Sequence, residues 1–439
     1  MPRIFVLSAA ILLFSTITAC SSPQQQGQAR AVKANEFQTE TLPAPFTTKS
    51  AKNYSKVVGW KEGEAPFAPT GFAVSRFASG LENPRWIYQG PNGDVFVAET
   101  NTILTGIKKF GASISRKIKT QNYGTSANRI RLYRDTDGNG SYETVMVFAE
   151  GLNQPLGMLI LNDHFYVANT DGLYMYPYTS GDSVLKAPGK KIINLPAGGY
   201  NNHWTRNIIA NDAGTKIYVS VGSGSNIGEN GMDKEIRRAN ILEINPDGSG
   251  EKIYAAGLRN PVGMGWEPVT KTLWTAVNER DGLGDDLVPD YATGVRPGGF
   301  YGWPYAYFGA NADPRMKKDP RPDLVAKTII PDVPLGSHTA SLGLAFYTGT
   351  NFPEKYRGGM FIGQHGSWNR SALAGYKVVF VPFAGGKPSG KPEDFLTGFI
   401  TGGDDSEVHG RPVGVTVLKD GSMLVADDAS GTVWKIRFN

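Results

Sequence analysis

Five histidines are spread over 439 residues, and four of them, His203, His338, His365 and His409, fall at the start of a recurring motif or just behind a strand-like run. Only His164, in Asn162-Asp-His, reads as a surface turn. Imidazole changes charge near neutral pH, so histidines at equivalent repeat positions, converging on one axis, would supply a general base. A second set is Arg259-Asn260, Arg411 and Asp427-Asp428. Arginine offers a rigid fork of donors, which suits a planar anionic ligand; the competing expectation is an arginine that pairs with an acid of the next unit. A third set, Asp281, Asp285 and Asp286, lies in a Gly-rich loop. Hard oxygen ligands on a flexible loop suit calcium, and a solvated acidic turn is the alternative.

These residues are distributed by a repeat. Gly257–Trp266 reads GLRNPVGMGW, Gly80–Trp86 reads GLENPRW and Gly151–Met158 reads GLNQPLGM. Looser copies stand at His203–Ile208 (HWTRNI), Ser341–Phe346 (SLGLAF) and Gly410–Val415 (GRPVGV). Each is followed, 13 to 19 residues after its start, by a strand-like run: Phe96–Thr100, Phe165–Thr170, Ile217–Ser223, Leu273–Glu279, Met360–Gly366 and Met423–Asp428. Six such units predict an all-β, six-bladed propeller, a closed ring whose opening motifs line one face. In such a ring the two chain ends often share a sheet, so Thr432–Phe438 is expected to pair near Gly71–Phe77.

Composition agrees with many short strands: 54 glycines, 28 prolines and 19% charged residues. The net charge is +5 with the basic residues scattered, apart from Lys108–Lys109, Arg116–Lys119 and Arg315–Lys318. Nucleic-acid binding would need a denser basic face, so no nucleic-acid partner is expected.

Met1–Cys20 reads as a targeting segment, with Arg3 ahead of the apolar run Ile4–Phe14. It ends Ile17-Thr18-Ala19-Cys20, which resembles a bacterial lipobox, so lipidation is expected at Cys20, the single cysteine. The expected location is periplasm-facing, on the outer membrane, with the membrane as partner through the lipid anchor. Residues 21–53 are polar and read as a flexible tether, and 54–439 as the propeller domain. Asp135-Thr-Asp137-Gly-Asn139 begins like a calcium loop, but Met146 stands where an EF-hand has its glutamate. A hairpin turn between Arg129–Arg134 and Thr144–Phe148 and a structural calcium site are both open readings.

The motifs GLRNP (Gly257–Pro261), YGWPY (Tyr301–Tyr305), HGSWNRS (His365–Ser371) and GRPVGV with VADDASG (Gly410–Gly431) together resemble the glucose/sorbosone dehydrogenases that use pyrroloquinoline quinone (PQQ), above all the L-sorbosone dehydrogenase-like proteins. The resemblance runs from about Phe72 to Phe438. It implies a six-bladed propeller holding PQQ and calcium near its axis. It also implies His203 as catalytic base, Arg259 and Asn260 at the quinone carbonyl, Arg411 and Asp427 as last-blade cofactor contacts, and Gln154 near the substrate. The loop Arg280–Asp286 would hold the calcium, partly through backbone carbonyls, with Asp281, Asp285 and Asp286 as its acids. Three positions depart from the pattern: Ser223 replaces the acid that orients the histidine, Val413 replaces a second basic residue, and His365 stands in for a cofactor-contacting lysine. The implied reaction is oxidation of an aldose or sugar aldehyde to a lactone or acid, by proton transfer to His203 and hydride transfer to the quinone, with electrons passed to an acceptor that the sequence does not identify. Two other readings stand beside it: a non-catalytic propeller that binds protein or envelope glycan, and a calcium-dependent sugar lactone hydrolase.

Overall fold

The structure, a computed structural model, describes residues 1–2, 30–34, 38–103, 120, 123–402 and 406–439. Cys20 and most of the insert Leu104–Asn122 lie outside the described residues. The remainder is almost wholly β. Six four-stranded antiparallel blades close into a propeller, one of them extended by a short parallel strand, Gly299–Phe300. Among the described residues the only α-helix is the six-residue Pro322–Lys327.

The inner strands of blades 1 to 6 are Pro84–Gln89, Met158–Leu161, Arg206–Ala210, Pro261–Trp266, Ser341–Phe346 and Pro412–Val417. Each begins in or just after one of the repeated motifs. The second strands are the apolar runs seen in the sequence, Val95–Glu99, His164–Asn169, Ile217–Val221, Leu273–Val277, Met360–Gln364 and Met423–Asp427. Most of their residues are buried on both faces because each blade is sandwiched between two others. The last strand, Thr432–Phe438, pairs antiparallel with Phe72–Ala78, so both ends of the ring share blade 6. This closure ties the two ends of the ring together, and each blade keeps only its short inner and outer edge strands.

The motif's Pro-x-Gly has a packing reason. In blades 1, 4, 5 and 6 the ladder between the first two strands slips within the motif, as at Pro261/Met264 and Pro412/Val415. There the inner strands of neighbouring blades nearly touch: a Cβ on Gly263 would lie 2.5 Å from the Leu342 carbonyl, and one on Gly414 2.7 Å from that of Arg85. Only glycine allows that approach.

The expected tether needs correction. Arg30–Ala34 and Gln38–Leu42 pair as a two-stranded ribbon, and Leu42 is buried in the cluster that holds Leu283 and Tyr291. Phe46 N–H donates to the Leu283 carbonyl (2.7 Å), and Asn53 N–H to that of Trp368 (2.8 Å). Tyr54 stacks on Trp368 with ring centroids 5.7 Å apart. Lys56–Val57 then adds to Glu407–Val408 as a parallel strand. Residues 42–57 are therefore a strap across blades 4, 5 and 6, bound by its apolar side chains and its backbone.

The Asp135 segment is a hairpin turn, with Arg129–Arg134 paired to Thr144–Ala149. The Asp135 carboxylate accepts from the backbone N–H of Gly138 (2.7 Å) and Gly140 (2.8 Å), which closes the turn locally. Asp137 and Glu143 lie close enough to Asp135 for the three carboxylates to meet, and two of the three are fully exposed.

Candidate functional site

A cavity of about 390 Å³ opens on the face where the motifs converge. His203, Arg259, Asn260, Asp281, His338, His365 and Arg411 all line it, brought together from stretches as far as 208 residues apart (411 − 203). Equivalent positions in a ring face the same axis, so the repeat alone explains this convergence.

His203 is buried. Its Nδ1 lies 2.9 Å from the Ser223 carbonyl and 3.0 Å from Ser223 Oγ. The carbonyl can only accept, and Ser223 Oγ already gives its proton to the Ser225 carbonyl (2.6 Å). Nδ1 must therefore carry the hydrogen, which leaves Nε2 as the lone-pair nitrogen. No carboxylate orients this ring; a serine and a backbone carbonyl do. Burial, with the Arg259 charge added, holds the imidazole well below its usual 6.5. Ser223 brings no charge to offset this, and the dry surroundings and the arginine act in the same direction.

Arg259 is fixed by acceptors on all sides. Nη1 donates to the Glu279 carbonyl (2.7 Å), Nη2 to Asn226 Oδ1 (2.9 Å) and Nε to the Asn226 carbonyl (3.2 Å). Asp281 Oδ2 lies 3.6 Å away, and Asp281 Oδ1 accepts from Asn369 Nδ2 at 2.5 Å. The same Asn369 nitrogen lies 3.0 Å from His338 Nδ1. Burial alone would lower the His338 pKa; Asp281 outweighs it and the net shift is upward. Among the described residues, the buried Oδ1 of Asn260 has no hydrogen-bond partner.

The opposite wall carries Arg411, Arg85 and His365. Arg411 donates from Nε to the His365 carbonyl (3.0 Å) and from Nη2 to that of Gly366 (3.1 Å), with Tyr376 under its guanidinium. Asp428, only 1% exposed, accepts from His365 Nε2 (2.9 Å) and pairs with Arg85 Nε (2.9 Å). Burial, then the Arg411 charge, brings His365 down to about 4, and Asp428 falls to about 2.

Several expected site residues sit elsewhere. Asp427 does not face the cavity: it accepts from Arg411 N–H (2.7 Å) and from the indoles of Trp60 (2.9 Å) and Trp434 (3.3 Å), so it pins the last blade. Gln154 adopts φ 49°, and its Nε2 donates to the Asn101 carbonyl (2.8 Å), which places it outside the cavity lining. Of the three loop acids only Asp281 reaches the cavity; Asp285 accepts from Ser371 N–H (3.0 Å) and Asp286 pairs with Arg370 (2.8 Å). They therefore form no common ligand set. His409 stacks on Trp60, just beyond the strap, at 4.5 Å between ring centroids. The sequence reading missed Arg85, Asn226, Asn278, Tyr123 and the role of Asp428. Arg85 could have been found, since it is the last polar residue of the GLENPRW copy.

A family model described as a domain of unknown function, DUF7133, matches residues 67–428. An uncharacterized protein of Borreliella burgdorferi is 28% identical over 382 residues, 84% of this chain and 90% of its own. The aldose sugar dehydrogenase YliI of Escherichia coli is 32% identical over 120 residues, which is 27% of this chain and 30% of that enzyme, so the match spans less than a third of that relative. Among solved structures, the holo form of the pyranose dehydrogenase PQQ domain from Coprinopsis cinerea superposes with a TM-score of 0.67 at 20% identity, over 88% of this chain and 100% of the other. At that identity the likeness shows the six-bladed propeller fold.

Proposed function

We propose that this chain, which belongs to the DUF7133 family, oxidises an aldose or sugar aldehyde to a lactone or acid with pyrroloquinoline quinone as cofactor. The observation that carries the reading is the locked tautomer of His203, whose free nitrogen is at the cavity beside Arg259 and Asn260. The kinship with sugar dehydrogenases supports it. The residues present fit the cofactor. PQQ is a planar tricarboxylate, and three buried arginines, Arg85, Arg259 and Arg411, line the cavity against a single aspartate. Asn260 Oδ1, buried without a partner, is a polar atom that awaits one. A lactone hydrolase built on a metal held by acids would need the reverse balance of charge.

When bound, the quinone supplies a two-electron, hydride-accepting centre. Arg259 and Asn260 would hold its polar edge, with Arg411 on the opposite wall. His203 takes the proton of the sugar hydroxyl at Nε2, while the Nδ1–H bond to Ser223 keeps the ring from turning. Its lowered pKa keeps it unprotonated through neutral pH, so base catalysis needs no further deprotonation there. We place the reaction on the periplasmic side, with Cys20 as the lipid-bearing residue; the basis is the lipobox-like end of the leader.

Dye reduction by the full chain, with aldoses and added PQQ, tests the proposal. His203→Ala should then lower turnover roughly 10²–10⁴-fold with PQQ saturating. Unchanged turnover would remove His203 from the chemistry, and absence of PQQ binding would remove the reading.

A further inference from the structure

The loop Arg280–Asp286 has the composition of a hard-cation site, yet three of its carbonyls and all three of its acids are already engaged. The Asp281 carbonyl accepts from Arg315 Nη1 (2.6 Å) and Asn226 Nδ2 (3.0 Å). The Gly284 carbonyl accepts from His338 Nε2 (2.9 Å), and the Leu283 carbonyl from Phe46 N–H of the strap (2.7 Å). Just before the loop, the Glu279 carbonyl accepts from Arg259 (2.7 Å). Among the side chains, Asp281 is held by Asn369, Asp285 by Ser371 and Asp286 by Arg370. Arg315 is itself fixed, through Nε and Nη2, on the Asp313 carboxylate (2.9 and 2.8 Å).

We infer that this loop is a cation site filled by the protein itself, in which Arg315, with Arg259 and the His338 N–H, takes the place of a bound calcium ion. A calcium ion needs six to eight oxygens at about 2.3–2.6 Å. Any ion that reached the Asp281 carbonyl would sit against the Arg315 guanidinium, where like charges repel. The His338 contact with the Gly284 carbonyl is made through an N–H that both protonation states possess, so that bond is kept whether or not the ring is charged. Cofactor binding at this wall consequently requires no divalent metal. That last consequence rests on the functional reading above; the filled loop does not.

The test uses the full chain, stripped of metal by chelator, in an Asp135→Asn/Asp137→Asn background so that the exposed turn cannot bind calcium. Calcium at millimolar concentration should leave the unfolding midpoint unchanged, and calorimetry should register no site. PQQ affinity, read from quenching of tryptophan fluorescence, should differ less than about 2-fold between chelator and calcium. A calcium-induced rise in midpoint that Asp281→Asn abolishes would overturn the inference, as would a tenfold gain in PQQ affinity on adding calcium. If PQQ binds in neither condition, the functional reading fails and the calcium titration still decides the loop. Arg315→Met, which frees the Asp281 carbonyl, should create a calcium response absent from the parent. A folded Arg315→Met chain without that response would show that Arg315 is not the occupant. Should that variant not fold, the parent titration stands alone as the test.

Discussion

On the side of blades 4 and 5, Arg259, Asp281 and His338 meet at the cavity; across it Arg411 of blade 6 and Arg85 of blade 1 meet His365 from the end of blade 5's second strand, with Asp428 behind them. The ingredients are the same, yet one histidine is pushed towards protonation and the other is pushed down to about 4. Geometry accounts for the difference. Asp428 is 1% exposed, bonded to His365 and paired with Arg85, but burial and the Arg411 charge outweigh what it returns to His365. Asp281 is 29% exposed, and its arginine stays 3.6 Å away because backbone carbonyls hold it there. Its charge remains available to His338. A buried acid with two cations makes a rigid wall, whereas a loop acid with one distant cation makes a wall whose charge responds to its surroundings.

The largest effect expected from this contrast is on stability. Asp428→Asn strands Arg85 and Arg411 without a countercharge in a dry site, and should cost about 3–5 kcal/mol. Asp281→Asn keeps an oxygen for Asn369 and lies partly in water, so about 1 kcal/mol is expected. Urea unfolding of both variants measures the gap. Equal losses would mean that the two walls are energetically alike.

The neighbouring residues Asp427 and Asp428 explain how far such a site can be read from sequence. The repeat spacing locates the strand end that carries both, and the ring geometry follows from it. Which of the two turns towards the cavity-lining Arg85 and His365 is a matter of one residue of register, since successive side chains point to opposite faces. Asp281, Asp285 and Asp286 lie in a loop between two strands, where no such alternation tells which acid reaches the cavity. His203, Arg259, Asn260, His365 and Arg411 were legible because motif positions repeat around the axis. Gln154 occupies such a position too, but a local left-handed turn aims it elsewhere. The strap was hidden because part of its hold on the propeller is backbone bonding, which leaves no pattern in side-chain types, and its apolar anchors such as Leu42 and Tyr54 are too few to form one. His409 was misplaced for the same reason, since its partner Trp60 belongs to the chain just beyond that strap.

A smaller effect separates the two arginines. Arg259 stands second only to burial in holding His203 low, and Arg411 plays that part for His365. Arg259→Met should therefore raise the His203 pKa and leave His365 where it is. Arg411→Met should do the converse. Histidine Cε1–H titration by NMR reads both, and a shift of both histidines in either variant would mean that the walls are coupled through the cavity.

The subtlest test is the sign of the stability change with pH. His365 titrates at about 4 in the fold against an ordinary 6.5, so the unfolded chain binds the proton first. Its contribution is complete above pH 6.5 and is lost as pH falls towards 4. The charged groups that face it are Asp428, Arg85 and Arg411. His338 behaves in the opposite way. Its folded pKa is raised by Asp281, with Asp290 adding to the effect, so its contribution is complete below 6.5 and is lost as pH rises through the folded value. Asp290, itself raised to about 6, adds a further loss of stability as pH rises from 3.8 to 6, and this would mask either histidine in the wild type alone. Differences against variants remove that background. His365→Asn keeps a donor for Asp428 but cannot titrate, so the wild-type minus variant stability should decline on the acid side of 6.5. For His338→Asn the same difference should decline on the alkaline side. Unfolding midpoints in urea, taken from pH 4 to 8, give both curves; if they slope the same way, the two histidines share one electrostatic environment and the contrast between the walls is lost.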